Sequence, residues 1–313
     1  MRPLPPGYEI RPPTFDDVDG VAEMLLADDL ADTGVPDFDA DFVRDQWSTP
    51  GLELVRDAWV LSDPQGAVVG HGNVAPDGEG KIKSWGVVAR EHRGLGLGAA
   101  LLDRIEARAA ERLAGAPGGA LFVAVTDTDT AAAVLVAGRG FRCVRTFRHL
   151  QLDLDGPTRQ PGEPPPGIEI RGIDPEHDLG RIHAIFVEAF RDEWGYRPIA
   201  FEEWSGLEVE TPDFDPSLWL LASDGDDAVG ALSGVVWGDR GWVGELGVRR
   251  PWRGRGIASA LLRRAFATFA SRGLSRVMLN VDSENSTGAV RLYERVGMRT
   301  VRGWDVYEKP VTE

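Results

Sequence analysis

A mixed α/β sandwich, built twice in tandem, is the fold class that this sequence predicts. Three observations carry the prediction. The chain repeats itself at an offset of about 160 residues. In each copy, strand-like runs come first and a βαβα order follows. A Gly-rich turn joins a strand to a long amphipathic helix at the same place in both copies.

The repeat is visible residue by residue. Gly7-Tyr8-Glu9-Ile10-Arg11 returns as Gly167-Ile168-Glu169-Ile170-Arg171, and Arg93-Gly94-Leu95-Gly96-Leu97-Gly98 returns as Arg253-Gly254-Arg255-Gly256-Ile257-Ala258. Gly140-Phe141 matches Gly297-Met298 at an offset of 157, so only a few residues slip across each copy. Two copies do not make a solenoid; they make a duplicated domain. Residues 156–167 contain five prolines flanked by glycines, a stretch that propagates neither helix nor sheet and reads as a semi-rigid linker. The expected division is therefore a first domain over 1–155, a linker over 156–167 and a second domain over 168–313.

Each element has its own reason. The extended starts at 8–11 and 168–171 lead into helices whose first turns are acidic (Asp16-Asp17; Asp174-Pro175-Glu176), where carboxylates favour the positive helix end. Strand-like runs follow, in the second copy at 218–223, 227–237 and 242–249. After the Gly-rich turn come an amphipathic helix over 257–271, a strand over 276–281, a helix over 286–296 and a final extended stretch. Three strands ahead of the turn make an all-parallel doubly wound sheet a poor fit. Each copy is expected to be a mixed sheet flanked by helices.

Composition narrows the function. At 313 residues the chain has room for two full cores, and its 42% hydrophobic and 27% charged content is ordinary for a globular protein. A net charge of -16 disfavours nucleic acid and anionic membrane as partners. One cysteine, Cys143, excludes an internal disulfide, and reads as a small core residue on a strand. The five histidines have no metal-like spacing, so no metal is expected. With no long apolar run and no leader-like start, a cytoplasmic protein, monomer or homodimer, is expected.

The Gly-rich turn presents unpaired backbone N–H groups at a positive helix terminus, an arrangement that suits pyrophosphate. A plain tight turn explains one such hexapeptide equally well; two in register favour phosphate binding. The nearest rival is the dinucleotide fingerprint Gly-x-Gly-x-x-Gly/Ala, which 94–99 match in relaxed form. That loop follows the first strand of its unit and is answered by an acid on the next strand; here several strands precede it, and 276–281 carry no such acid. Neither copy has the Gly-Lys-Ser/Thr of a Walker loop.

Arg253-Gly254-Arg255-Gly256-Ile257-Ala258 resembles the Gln/Arg-x-x-Gly-x-Gly/Ala signature of the GNAT superfamily of acetyltransferases. Residues 285–298, with Asn285, then Leu292-Tyr293-Glu294, then Gly297-Met298, resemble that superfamily's next motif. The likeness covers essentially the whole chain as a tandem pair, an arrangement similar to that of the mycothiol synthases. It implies acetyl-CoA as donor, direct transfer to an amine and no metal. It also implies that Val248 and the loop residues Arg253, Gly254, Arg255, Gly256, Ile257, Ala258 and Ser259 contact pantetheine and pyrophosphate. Asn285 would contact pantetheine or nearby backbone, and Tyr293 the leaving thiolate. In the first copy Arg93, Gly94, Gly96 and Gly98 are the matching cofactor-binding candidates.

The chemistry asks for the same groups. An amine attacking a thioester needs a base, and the departing sulfur needs an acid. Tyr293, on the helix after the strand beside the loop, is the candidate acid, and otherwise reads as a core tyrosine. Glu245, the carboxylate inside the strand leading to the loop, is the candidate base; it reads equally as a solvated or salt-bridged strand residue. A bulge in that strand would decide its face. The first copy puts Trp85 at Glu245, Thr128 at Asn285 and Val136 at Tyr293, so the second copy is expected to be catalytic and the first degenerate. Residues 189–198, mixing acids, Arg and aromatics, are expected at the acceptor, as is a cationic amine drawn by the acidic run Asp28 to Asp45. A small-molecule amine acceptor is favoured; a protein N-terminus, or a CoA-binding module with little turnover, are the alternatives.

Overall fold

In a computed structural model of the chain, residues 2–33, 38–78, 80–156, 161–285 and 288–311 are described. Residues 34–37 of the acidic run, 157–160 of the linker and Ser286-Thr287 of the second motif lie outside them. Contacts gather the chain into two compact units, Met1–Phe147 with Arg302–Glu313, and Arg148–Val301.

In the first unit, β1 (Glu9–Arg11), α1 (Val18–Thr33), α2 (Ala40–Trp47) and α3 (Leu54–Asp57) precede β2 (Ala58–Ser62), β3 (Val68–Pro76) and β4 (Lys81–Val88). Then come α4 (Leu97–Arg112), β5 (Ala120–Thr126) and α5 (Thr130–Gly138). The sheet order is β1-β2-β3-β4-β5, and β12 (Arg299–Pro310), the last strand in sequence, closes it antiparallel to β5, with Val306 opposite Ala124. Of these pairs β4/β5 alone is parallel, since α4 returns the chain to the same end of the sheet.

The second unit repeats the plan. β6 (Arg142–Asp153) enters it from Arg148 onward, followed by β7 (Ile168–Gly172), α6 (Pro175–Phe190), α7 (Phe201–Glu208), β8 (Leu220–Asp224), β9 (Asp227–Trp237) and β10 (Arg240–Val248). α8 (Ile257–Ser271), β11 (Arg276–Asp282) and α9 (Ala289–Arg295) complete it, with the sheet ordered β7-β8-β9-β10-β11-β6. The mixed α/β expectation holds, and α8 has the span that its periodicity predicts. Its stripe of Ile257, Leu261, Leu262, Ala265, Phe266 and Phe269 is buried at helical spacing.

The cores explain the grouping of the chain. Leu150, Leu152 and Leu154 are buried in the second unit's cluster, while Tyr307 and Val311 pack on the first unit's. Leu150, Leu152 and Leu154 alternate in sequence, so this end of β6 follows the core that its apolar face can bury. Cys143 corrects an expectation: it lies on β6 but is exposed, in the opening stretch of the strand where Arg142 and Cys143 both face solvent.

Candidate active site

Two glycines shape the loop. Gly254 and Gly256 have φ of +77° and +86°, the left-handed region in which a side chain is strained, and Gly256 is the N-cap of α8. The helical ladder starts with Ala260 N donating to Gly256 O at 3.1 Å. The amides of Ile257, Ala258 and Ser259 thus precede it and form a row of donors at the positive helix end. A Cβ at Gly254 would meet nothing within 4 Å, while one at Gly256 would lie 3.7 Å from Pro165 Cγ.

The arginine of the motif is a tie. Arg253 Nε donates to Val248 O at 3.0 Å and a terminal nitrogen to Ala189 O at 3.1 Å, holding the loop to the end of β10 and to α6. Arg93 does the same in the first unit, its Nε donating to Val88 O at 2.9 Å. Gly94 and Gly96 repeat the left-handed φ, at +80° and +84°, while Gly98 lies within α4. Arg255 is largely exposed and pairs with Asp224 at 3.6 Å.

β10 carries a bulge. Its register against β9 shifts between Val243 and Leu246, and its parallel pairing with β11 is confined to Gly241 and Trp242. Glu245 N donates to Ser233 Oγ at 2.8 Å, and a Cβ on Gly244 would come within 2.9 Å of that same oxygen, so the residue before Glu245 must be glycine. The bulge turns Glu245 inward, where its Oε2 is buried without a hydrogen-bond partner among the described residues. Burial, and then the charge of Glu208, raise this carboxyl to about 7. The nearby Trp204 indole N–H acts in the opposite sense without closing a hydrogen bond.

Tyr293 is buried on α9, and its phenol is raised by burial and then by the charge of Glu193. Glu193, in the turn after α6, accepts from Asn285 Nδ2 at 2.7 Å and is itself raised, chiefly by burial. Its charge also acts on Glu245 and Tyr196. The structure therefore brings Tyr293, Glu245 and Asn285 around Glu193, within the segment expected at the acceptor. Glu193, Glu208 and Trp204 were not separable from their neighbours by residue type. The one signal for Glu193 was its place in that acid- and aromatic-rich segment.

The first unit differs at the same place. β3 and β4 pair without a shift from Pro76–Ile82 through Gly70–Val88. Trp85 stands unbulged in the middle, ringed by His71, Phe38 and Phe42. Beyond Trp85–Ala124, the last pair of β4 with β5, a cavity of about 410 Å³ opens.

This duplicated sheet, splayed beside a Gly-capped helix, belongs to an acyltransferase: the chain is a member of the Acetyltransferase (GNAT) family, whose profile matches residues 22–141 and again 179–298. Members transfer acetyl groups and use acetyl-CoA. Its curated relatives include mycothiol acetyltransferases. That of Thermobispora bispora is 34% identical over 203 residues, 58% of this chain and 66% of that one. That of Clavibacter michiganensis subsp. michiganensis is 31% identical over 303 residues, 92% of this chain and 90% of that one. Among solved structures, a GCN5-related N-acetyltransferase from Sphaerobacter thermophilus superposes with a TM-score of 0.87 at 33% identity, covering 99% of this chain and 98% of that one. No helix among the described residues is long and apolar enough to cross a membrane.

Proposed function

We propose that the second unit transfers an acetyl group from acetyl-CoA directly to a primary amine of a small molecule. The observation that carries this reading is the β10 bulge, which leaves Glu245 Oε2 buried and partnerless on the strand that leads to the donor loop. Acetyl-CoA supplies the activated acyl thioester. The amides of Gly254, Gly256, Ile257, Ala258 and Ser259 would hold its phosphates, and the main chain near Val248 its pantetheine arm.

Glu245 Oε2 takes the proton from the incoming ammonium, directly or through a water. A carboxyl raised to about 7 is half ionised near neutrality, where a base works best. The Tyr293 hydroxyl, kept protonated by its raised pKa, gives a proton to the departing sulfur. Asn285 holds Glu193, whose charge, with those of Glu208 and Glu245, favours a cationic acceptor. The relatives named for mycothiol support a small-molecule acceptor over a protein N-terminus.

The test is thiol release from acetyl-CoA across a panel of small amines, followed by the pH dependence of kcat/KM on the best one. The parent should gain activity as pH rises through about 7. Glu245→Gln should lose about 100-fold or more together with that acid limb. Parental kcat/KM with an unchanged limb in the variant would remove Glu245 from the reaction.

A further inference from the structure

Two residues of β10 stand opposite one of β9. Val243 pairs with Gly234 and Leu246 with Leu232, which leaves Gly244 and Glu245 facing Ser233 alone. Neither keeps an ordinary place in the ladder, and a bulge of this kind is where a strand re-aims a side chain. Ser233 is 3% exposed, and its Oγ accepts from Glu245 N at 2.8 Å. The hydroxyl therefore takes a main-chain donor at the point where the pairing breaks.

The first unit has the same strands without the bulge. At the offset of 160, Asn73 stands for Ser233, Ser84 for Gly244 and Trp85 for Glu245. Asn73 pairs directly with Trp85, and Val74 with Ser84, in unbroken register. A hydroxyl is present there too, but on the other strand, and it donates: Ser84 Oγ to Asn73 O at 2.5 Å. In the second unit the hydroxyl has changed strands and accepts instead. Gly244 makes room for it, since a Cβ there would come within 2.9 Å of Ser233 Oγ. Serine on β9 and glycine on β10 are thus a matched pair.

We propose, on the reading of Glu245 as the base, that Ser233 is its positioning residue: the hydroxyl holds the Glu245 main chain in the bulge and so keeps the carboxyl turned toward the reacting amine. Ser233 acts through the Glu245 amide and not on the acceptor. Alanine cannot accept that amide, and a half-buried N–H stripped of its acceptor draws the chain toward a solvated arrangement. The carboxyl would then move toward water and back toward the ordinary glutamate value, about 4.3. Its distance to the amine would no longer be fixed.

Ser233→Ala, Ser233→Thr and Glu245→Gln are compared on one confirmed acceptor, by kcat/KM against pH and by melting curves. Ser233→Ala should lower the high-pH plateau of kcat/KM about 10- to 100-fold, as misplacing a catalytic group does. Its acid limb should move down from about 7 toward the ordinary glutamate range. Ser233→Thr keeps the hydroxyl and should restore both. If either serine variant does not fold, Gly244→Ala attacks the same contact from β10 and should reproduce the loss and the shift; Gly244 is outside the left-handed region, so alanine adds no backbone strain there. In the Glu245→Gln background, Ser233→Ala should cost nothing further, since two residues acting as one unit do not add. A Ser233→Ala variant that melts lower yet keeps the parental kcat/KM and limb makes the serine a packing residue and overturns the proposal. So does a full further loss in the Glu245→Gln background. If Glu245→Gln itself keeps the parental kcat/KM and limb, the base is misassigned and the proposal falls with it.

Discussion

Tyr293 faces the interior from α9, 9% exposed, and the charge it senses is that of Glu193, a residue 100 positions earlier in the chain. Tyr293→Phe keeps the ring and its packing and removes only the transferable proton. It should lower kcat by roughly two orders of magnitude, the usual size of an acid's contribution, with CoA affinity held. Steady-state kinetics on a confirmed acceptor, with calorimetry for CoA, checks this; a parental kcat would assign the proton to water. The tyrosine was legible because a motif surrounds it. Glu193, Glu208 and Trp204 were not, because their importance comes from what the fold sets opposite them. Trp204 is one of ten tryptophans, and nothing in its neighbours tells that its N–H lies by Glu245.

Among the elements, the helices and the Gly-rich turns were the readable part: 3.6-residue periodicity and glycine at left-handed φ are local properties. The bulge was not readable: the offset of 160 is the same at Gly7/Gly167 and at Arg93/Arg253, so the shift in β10 leaves no net insertion in the sequence. A second device recurs at the start of each unit. Arg11 grips Asp17 through two hydrogen bonds, at 2.8 and 2.6 Å, while Asp17 also accepts from Thr14 N at 2.8 Å. Arg171 and Asp178 repeat the grip, with Asp174 N in the place of Thr14 N. The Arg11 guanidinium holds Asp17 down to about 2. A depressed carboxyl stabilises the fold above its unfolded value, near 3.9, and that contribution is lost as pH falls through about 2. Asp17→Asn should therefore cost about 1–2 kcal/mol at neutral pH, after allowance for the partly exposed arginine, and much less near pH 2. Urea unfolding of both proteins at the two pH values tests it; an equal deficit at both would mean that the pair contributes through packing and not through charge.

On the scale of the whole molecule, the proposed division of labour between the copies can be tested by two matched variants. Gly256→Val forces a branched residue into φ of +86° at the donor loop and should abolish turnover and CoA binding. Gly96→Val imposes the same strain at φ of +84° and should lower thermal stability while leaving kcat/KM within about a factor of three, a change of under 1 kcal/mol. Melting curves and kinetics on both variants decide; loss of turnover in the first with retention in the second would reverse the assignment. The repeat itself was plain in the sequence, but the destination of its last strand was not, because alternation says which face of a strand is apolar and never which sheet will receive it. That destination has a consequence for how the protein is made. The first unit's sheet lacks an edge until residues 302–311 have left the ribosome, so β5 must wait with its backbone groups bare while the entire second copy is synthesised. During that interval β5 is a template for any passing strand, including the β12 of a neighbouring nascent chain. Two molecules finishing on one message could then exchange their last strands, and a dimer formed in that way would keep the native strand pairing and still be the wrong product.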